Sequence, residues 1–129
     1  MIGLDSDCII DFLRGKKDAV AIVEKHKEHI VATDVNIFEI FMGIYLKKMI
    51  NTKEEEAARL FFSSLQILEG TGWGIRAAQV LSALIKQGKE IEQNDCLIAS
   101  ILTTNGCDGI ITRNSDHFSR IPHLKVIVY

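Results

Sequence analysis

Met1-Ile-Gly-Leu-Asp-Ser-Asp-Cys-Ile-Ile-Asp-Phe-Leu-Arg-Gly15 opens with a short apolar strand, and Asp5 follows it at once. Cys8 to Leu13 then have the spacing of a helix, closed by Gly15, a residue free to take the left-handed turn at a helix end. A strand running straight into a helix is half of a βα unit, and the alternation continues along the chain. Residues 18–29 read as a second, more exposed helix, and His29-Ile-Val-Ala-Thr33 as a second strand. Thr33 or Asp34 can cap the next helix, which runs through Phe38, Met42 and Tyr45 to about Ile50. Thr52-Lys-Glu-Glu55 is a capping-box pattern that starts a helix reaching Phe62. Leu65 to Leu68 is a short strand. Thr71 to Gln87 and Asp95 to Thr104 are helical in period and stop at Gly88 and Gly106. Gly109 to Thr112 and Leu124 to Val128 supply the last strands. The expectation is a three-layer α/β/α fold with a central, mostly parallel sheet. Residues 1–129 are expected to form one domain, since no repeat, low-complexity tract or Pro/Gly/Ser linker interrupts them and Pro122 is the only proline.

A chain of 129 residues, 47% hydrophobic and 25% charged, can build its own core and is not of disordered composition. Its net charge of −2 excludes the strong basic field of many DNA-binding modules, although bound divalent cations would reverse the local sign at a nucleic-acid site. Cys8, Cys96 and Cys107 are odd in number and lack CxxC spacing, which argues for reduced thiols in the cytoplasm rather than disulfides or zinc. No basic flank precedes an apolar run, and no run approaches the ~18 residues a membrane helix needs, so neither export nor a membrane span is expected.

In open parallel sheets, ligands bind beyond the carboxyl ends of the strands. Asp5 stands there after the first strand, and Thr112 to Asp116 after the fourth. Glu39, in Val35-Asn-Ile-Phe-Glu-Ile-Phe-Met-Gly43, shares a helix face with Val35 and Met42 and points toward the interior. A carboxylate in such a place needs a cation; no lysine or arginine lies within a turn on that face, which favours metal over an ion pair. Asp5 and Asp95 head helices, where capping is the plain alternative. Asp7 is either another site acid or an ordinary first-turn charge, and Asn114 and Asp116 are ordinary turn residues. Acids gathered at one sheet end suit Mg2+ or Mn2+, hard cations that take carboxylate oxygens. His26 and His29 lack zinc-ligand partners, Glu54 to Glu56 read as helix-dipole charge, and Trp73 reads as packing.

Leu4-Asp-Ser-Asp-Cys-Ile-Ile-Asp-Phe-Leu-Arg14 resembles the opening motif of PIN-domain toxins of the VapC type. Phe38-Glu-Ile-Phe-Met-Gly43, Asn94-Asp-Cys-Leu-Ile-Ala99 and Thr112-Arg-Asn-Ser-Asp-His-Phe-Ser-Arg-Ile-Pro122 are similar to that family's second, third and fourth motifs, in order. Asp7 departs from the usual asparagine, and Asn114 stands where many PIN domains place an aspartate. The resemblance implies a metal-dependent endoribonuclease with Asp5, Glu39, Asp95 and Asp116 as catalytic and metal-binding acids. Asp116 is chosen there as the only carboxylate of its segment. Ser6 and Thr112 would orient ligands or waters, with Asp7 and Asn114 in support. Arg14, Lys16, Lys17 and Arg113 would be available to RNA phosphates. The implied partners are a cognate antitoxin and a second copy of the chain; an RNA-processing role outside a toxin pair is the alternative. Homodimerisation is also expected from the apolar excess of Phe41, Ile44, Tyr45, Met49, Ile50, Leu60, Phe61 and Phe62. The first motif also resembles that of haloacid-dehalogenase-type phosphatases, with Asp5 as nucleophile and Asp7 as acid, but the lysine and acidic pair they need are missing. A receiver-like phosphoacceptor domain would want an aspartate after the third strand, where Glu69-Gly-Thr71 stands.

Overall fold

The computed structural model describes residues 1–129. Its elements, in chain order, are β1 (Ile2–Leu4), α1 (Ser6–Leu13), α2 (Lys17–His26), β2 (Ile30–Thr33), α3 (Asp34–Tyr45) and α4 (Thr52–Ser63), then β3 (Gln66–Leu68), α5 (Trp73–Lys86), α6 (Gln93–Thr104), β4 (Gly109–Thr112), α7 (Ser115–Phe118) and β5 (Lys125–Val128). The strands pair in the order β3-β2-β1-β4-β5, and every pairing is parallel. The mostly parallel sheet expected from sequence is thus wholly parallel.

Because strand side chains alternate, the sheet builds two cores. Leu4, Ala32 and Ile111 face one side and pack with α1 to α4 through Cys8, Ile9, Val23, Ile40, Ile44, Phe61 and Phe62. Val31 and Ile110 face the other and pack with α5, α6 and α7 through Val80, Leu84, Ile98, Leu102 and Phe118. The result is the three-layer α/β/α architecture. A Cβ on Gly3 would lie 2.3 Å from Leu102 Cδ1, so α6 can settle directly onto β1 only because residue 3 has no side chain. That approach brings the first turn of α6 to the end where β1 finishes.

Two helix boundaries differ from the reading of the sequence. The helix expected to reach Ile50 stops at Tyr45, because Leu46, Met49 and Ile50 beyond it are exposed and bury no face. The next helix is capped one residue early. Asn51 Oδ1 accepts from the backbone N–H of Lys53 (3.1 Å) and Glu54 (3.2 Å), and Asn51 rather than the box at Thr52 sets the start.

One charge is buried within α1. Asp11 is 2% exposed and accepts from Lys16 Nζ (2.9 Å), Arg113 Nη1 (2.8 Å) and the Tyr129 hydroxyl (2.7 Å). These bonds tie α1 to the segment after β4 and to the residue after β5. Lys16 and Arg113, expected to be free for phosphates, are committed to this acid, whereas Arg14 and Lys17 are exposed. No helix is long and apolar enough to cross a membrane.

Candidate active site

β1 and β4 are neighbours, but the chain leaves β1 toward β2 and β3 and returns to build β4 and β5 on the opposite side. Their carboxyl ends flank the crevice such a reversal creates. Asp5 follows β1, and its backbone N–H donates to Ile111 O at 2.9 Å. It occupies the N-cap position of α1, yet its side chain makes no capping hydrogen bond. The carboxylate instead accepts from Thr112 Oγ1 at 2.8 Å, at the end of β4. The plain capping role is therefore not what Asp5 does. Burial raises its pKa, the Thr112 hydrogen bond lowers it and the charge of Asp7 raises it again; the balance stands at about 7.

Glu39, on α3, accepts from Ser6 Oγ at 2.8 Å and takes part in no ion pair. Burial pushes its pKa up. Ser6 is held by Asn36, whose Nδ2 donates to Ser6 Oγ (3.0 Å) and to Leu4 O (3.1 Å). Asn36 Oδ1 in turn accepts from Thr33 N and Thr33 Oγ1, each at 2.9 Å, in the capping box that opens α3. Asn36 is fully buried with every polar atom engaged, so β1, β2, α1 and α3 meet on one side chain. Sequence reading passed over it. The signal was a polar residue three positions after a capping threonine, inside an apolar run.

Asp95, in the first turn of α6, is bonded through Oδ2 to His117 Nδ1 at 2.6 Å. Burial raises its pKa, and the His117 hydrogen bond and charge pull it back without cancelling the rise. His117 belongs to α7, a single turn capped by Asn114, whose Oδ1 accepts from Asp116 N at 3.1 Å.

These acids share one cleft of about 190 Å3. Asp5, Ser6, Asp7, Glu39, Glu92, Asp95, Asn114, His117 and Phe118 line it. Of the four acids expected to form the site, the fold brings Asp5, Glu39 and Asp95 together. Asp116 stands apart: it is exposed, it pairs with Arg120 (Oδ1 to Nη2, 3.3 Å), and it is absent from the cleft wall. The reason is helical phase. In the turn capped by Asn114, positions 117 and 118 face the same way as 114, and position 116 faces outward. Glu92 supplies the acid the sequence reading did not name, from the N-cap position of α6, with its carboxylate making no capping bond. Asp7 lies at the rim, 3.7 Å from Arg113 Nη2.

The donor set is one of hard oxygens with no lysine in the cleft and no cation on Asp5 or Glu39, which is what Mg2+ or Mn2+ takes. The acids do not already converge as a ligand shell. Asp5, Glu39 and Asp95 are each turned to a hydroxyl or imidazole that holds them at the cleft wall. The residues fit a hard divalent ion in chemistry, with the last adjustment left to side-chain rotation.

No curated protein matches the chain. Among solved structures it is similar to VapBC2 of Rickettsia felis bound to a DNA fragment from their promoter, with 21% identity and TM-score 0.88 over 100% of this chain and 99% of that one. It is also similar to DNA-bound VapBC of Salmonella typhimurium, with 20% identity and TM-score 0.86 over 99% and 98%. A toxin–antitoxin complex from Klebsiella pneumoniae is a third, with 20% identity and TM-score 0.73 over 99% and 97%. At these identities the likeness is one of fold. The PIN domain family model matches residues 2–124, and the chain belongs to the PIN domain family.

Proposed function

We propose that this chain is a metal-dependent endoribonuclease and the toxin of a toxin–antitoxin pair, acting in the cytoplasm as a homodimer. The observation that carries the nuclease reading is the meeting of Asp5, Glu39 and Asp95 in one cleft with no protein cation to neutralise Asp5 or Glu39. Carboxylates so arranged repel one another and raise one another's pKa values, a cost that a divalent cation removes. Asp5, Glu39 and Asp95 would hold Mg2+ or Mn2+; Glu92 and Asp7 add negative charge at the wall and rim. A divalent ion bound there would supply Lewis acidity toward the phosphate and a water of lowered pKa. Thr112 and Ser6 fix the carboxylates of Asp5 and Glu39 from outside, and Asn36 fixes Ser6. Water would attack the phosphorus and the 3′-oxygen would leave, giving a 5′-phosphate and a 3′-hydroxyl. The fold likeness to VapBC and toxin–antitoxin complexes supports the toxin role and a cognate antitoxin, and the same site would serve an RNA-processing enzyme outside such a pair.

The purified protein is expected to cut single-stranded or looped RNA with Mg2+ or Mn2+ and to stop when EDTA is added. Hydrolysis of small phosphomonoesters with RNA left intact would point instead to the phosphatase reading, for which the cleft holds no lysine.

For the dimer, the structure redraws the apolar surface. Ile44, Phe61 and Phe62 are core and Phe41 packs against it, but Tyr45, Met49, Ile50 and Leu60 are exposed, joined by Phe38, Met42 and Leu46. Phe38, Met42 and Tyr45 form a row on α3 at helical spacing, beside a groove of about 490 Å3. We expect a dimer at concentrations of about 10 μM, and for the pair Phe38→Glu and Met42→Glu a folded monomer whose melting temperature is lower by what association supplied and no longer depends on protein concentration. A monomeric mass for the unaltered chain in sedimentation would count against this interface.

A further inference from the structure

We infer that His117 is a positioning residue that fixes the carboxylate of Asp95 for metal binding through Nδ1; this rests on the metal-dependent reading of the cleft. Asp95 sits in the first turn of α6, where a carboxylate can turn back onto free backbone N–H groups. It does not: its Oδ2 lies 2.6 Å from His117 Nδ1, and Oδ1 has no protein partner. One oxygen is therefore held and the other is left for a ligand in the cleft that both residues line.

The imidazole is itself held in place. Its helix is a single turn and cannot be stable alone. Phe118, the next residue, is 1% exposed and packed in the core beneath α6, and Asn114 caps the turn. Both sides of His117 are pinned to the core that carries Asp95. No other side chain bonds the ring, and Nε2 has no protein partner, so the only bond the ring makes within the protein is to Asp95. An N–H donated from Nδ1 holds the carboxylate in one orientation. This is how outer-sphere partners orient metal-binding groups, and loss of such a partner typically weakens metal binding roughly 10–100-fold.

Asparagine and glutamine separate the two ring nitrogens, since Asn Nδ2 falls near the place of Nδ1 and Gln Nε2 near that of Nε2. Mn2+ binding is followed by its paramagnetic resonance signal on the full chain, with a metal-free melt of each variant as the check on folding. His117→Ala should keep the metal-free melting temperature and bind Mn2+ roughly 10–100-fold more weakly. His117→Asn should recover most of the affinity, and His117→Gln should not. Equal affinity in His117→Ala and the unaltered chain overturns the inference and leaves the metal reading standing. Recovery by Gln and not by Asn also overturns it, because Nε2 would then be the working atom. Failure of the unaltered chain to bind Mn2+ overturns the metal reading, and this inference with it.

Discussion

Asp5→Asn should abolish most RNA cleavage and yet make the metal-free protein more stable. The two effects share one cause. Asp5 is 7% exposed and faces other carboxylates, and its only strong partner is the Thr112 hydroxyl, so it ionises at about 7 rather than near the ordinary carboxylate value. Keeping it charged in the folded state costs up to about 4 kcal/mol, and about 2–4 kcal/mol once access of water to the cleft is allowed for. Asparagine keeps an oxygen for Thr112 and carries no charge. A rise in metal-free melting temperature on the order of 10 °C near neutral pH is expected. Activity should fall at least about a hundredfold, beyond what loss of an outer-sphere partner does.

The pH dependence has a definite sign. Below about pH 4 the Asp5 carboxyl is protonated in folded and unfolded chains alike, and its penalty is absent. Between there and about 7 the unfolded chain releases the proton that the folded chain retains, so metal-free stability falls as pH rises. Above about 7 the loss is complete. Glu39 and Asp95, also raised, add to the same slope. Asp5→Asn should flatten the slope, and saturating Mn2+ should offset it by preferential binding to the folded state. Thermal melts across this range, with EDTA and with Mn2+, measure all of it. A metal-free Asp5→Asn chain that melts lower than the unaltered one at neutral pH would remove the argument that the acids await a cation.

Asp11→Ala should act in the opposite way, costing stability and leaving Mn2+ affinity unchanged. Burial raises the Asp11 carboxyl, but the hydrogen bonds from Lys16 and Tyr129 and the charge of Arg113 outweigh it, and the group ends below the usual carboxylate range. Breaking a buried ion pair costs about 3–5 kcal/mol when the surviving charge is trapped. Here the survivors, Lys16 and Arg113, are about half exposed and can return to water, which brings the expected loss to about 2–3 kcal/mol. A depressed carboxyl stabilises above its unfolded value and stops doing so as pH falls through its folded value, so Asp11 should show as acid sensitivity below about pH 4. The contrast with Asp5 can be read in one set of melts: one acid whose removal stabilises at neutral pH, and one whose removal destabilises. Equal melting of Asp11→Ala and the unaltered chain would show that the network is ornament to the fold.

Much of the architecture was legible because strand and helix periods alternate cleanly and because Asp5 and Thr112 bracket the point where the sheet reverses. Three acids of the candidate cleft could be read from their neighbours: a charge in an apolar helix, or at the head of one. What stayed hidden depends on distance along the chain. The partners of Asp11 include Arg113 and Tyr129, 102 and 118 residues away, and nothing local marks it as different from any acid in a short helix. Asp116 is the only carboxylate of its segment, but the phase of one helical turn puts His117 inward and Asp116 outward. Asn114 could have indicated this, since residues 117 and 118 lie three and four places after it and share its face. Glu92 was invisible because the coil before α6 carries no period from which its direction could be read.

The segment from Thr112 to Phe118 has a further consequence. In seven successive residues it bonds Asp5, pairs with Asp11 and Asp7, caps its own turn and bonds Asp95. The acids are thus supported by hydroxyls, an amide and an imidazole, and not by one another. An amide put in place of Asp5 or Asp95 still offers an oxygen to the same donor, so the cradle survives when its charge is removed. On the nuclease reading, a chain silenced in this way would keep the shape of the unaltered one and become a trap: it could seize an RNA, leave it whole, and let the uncut strand be recovered and read.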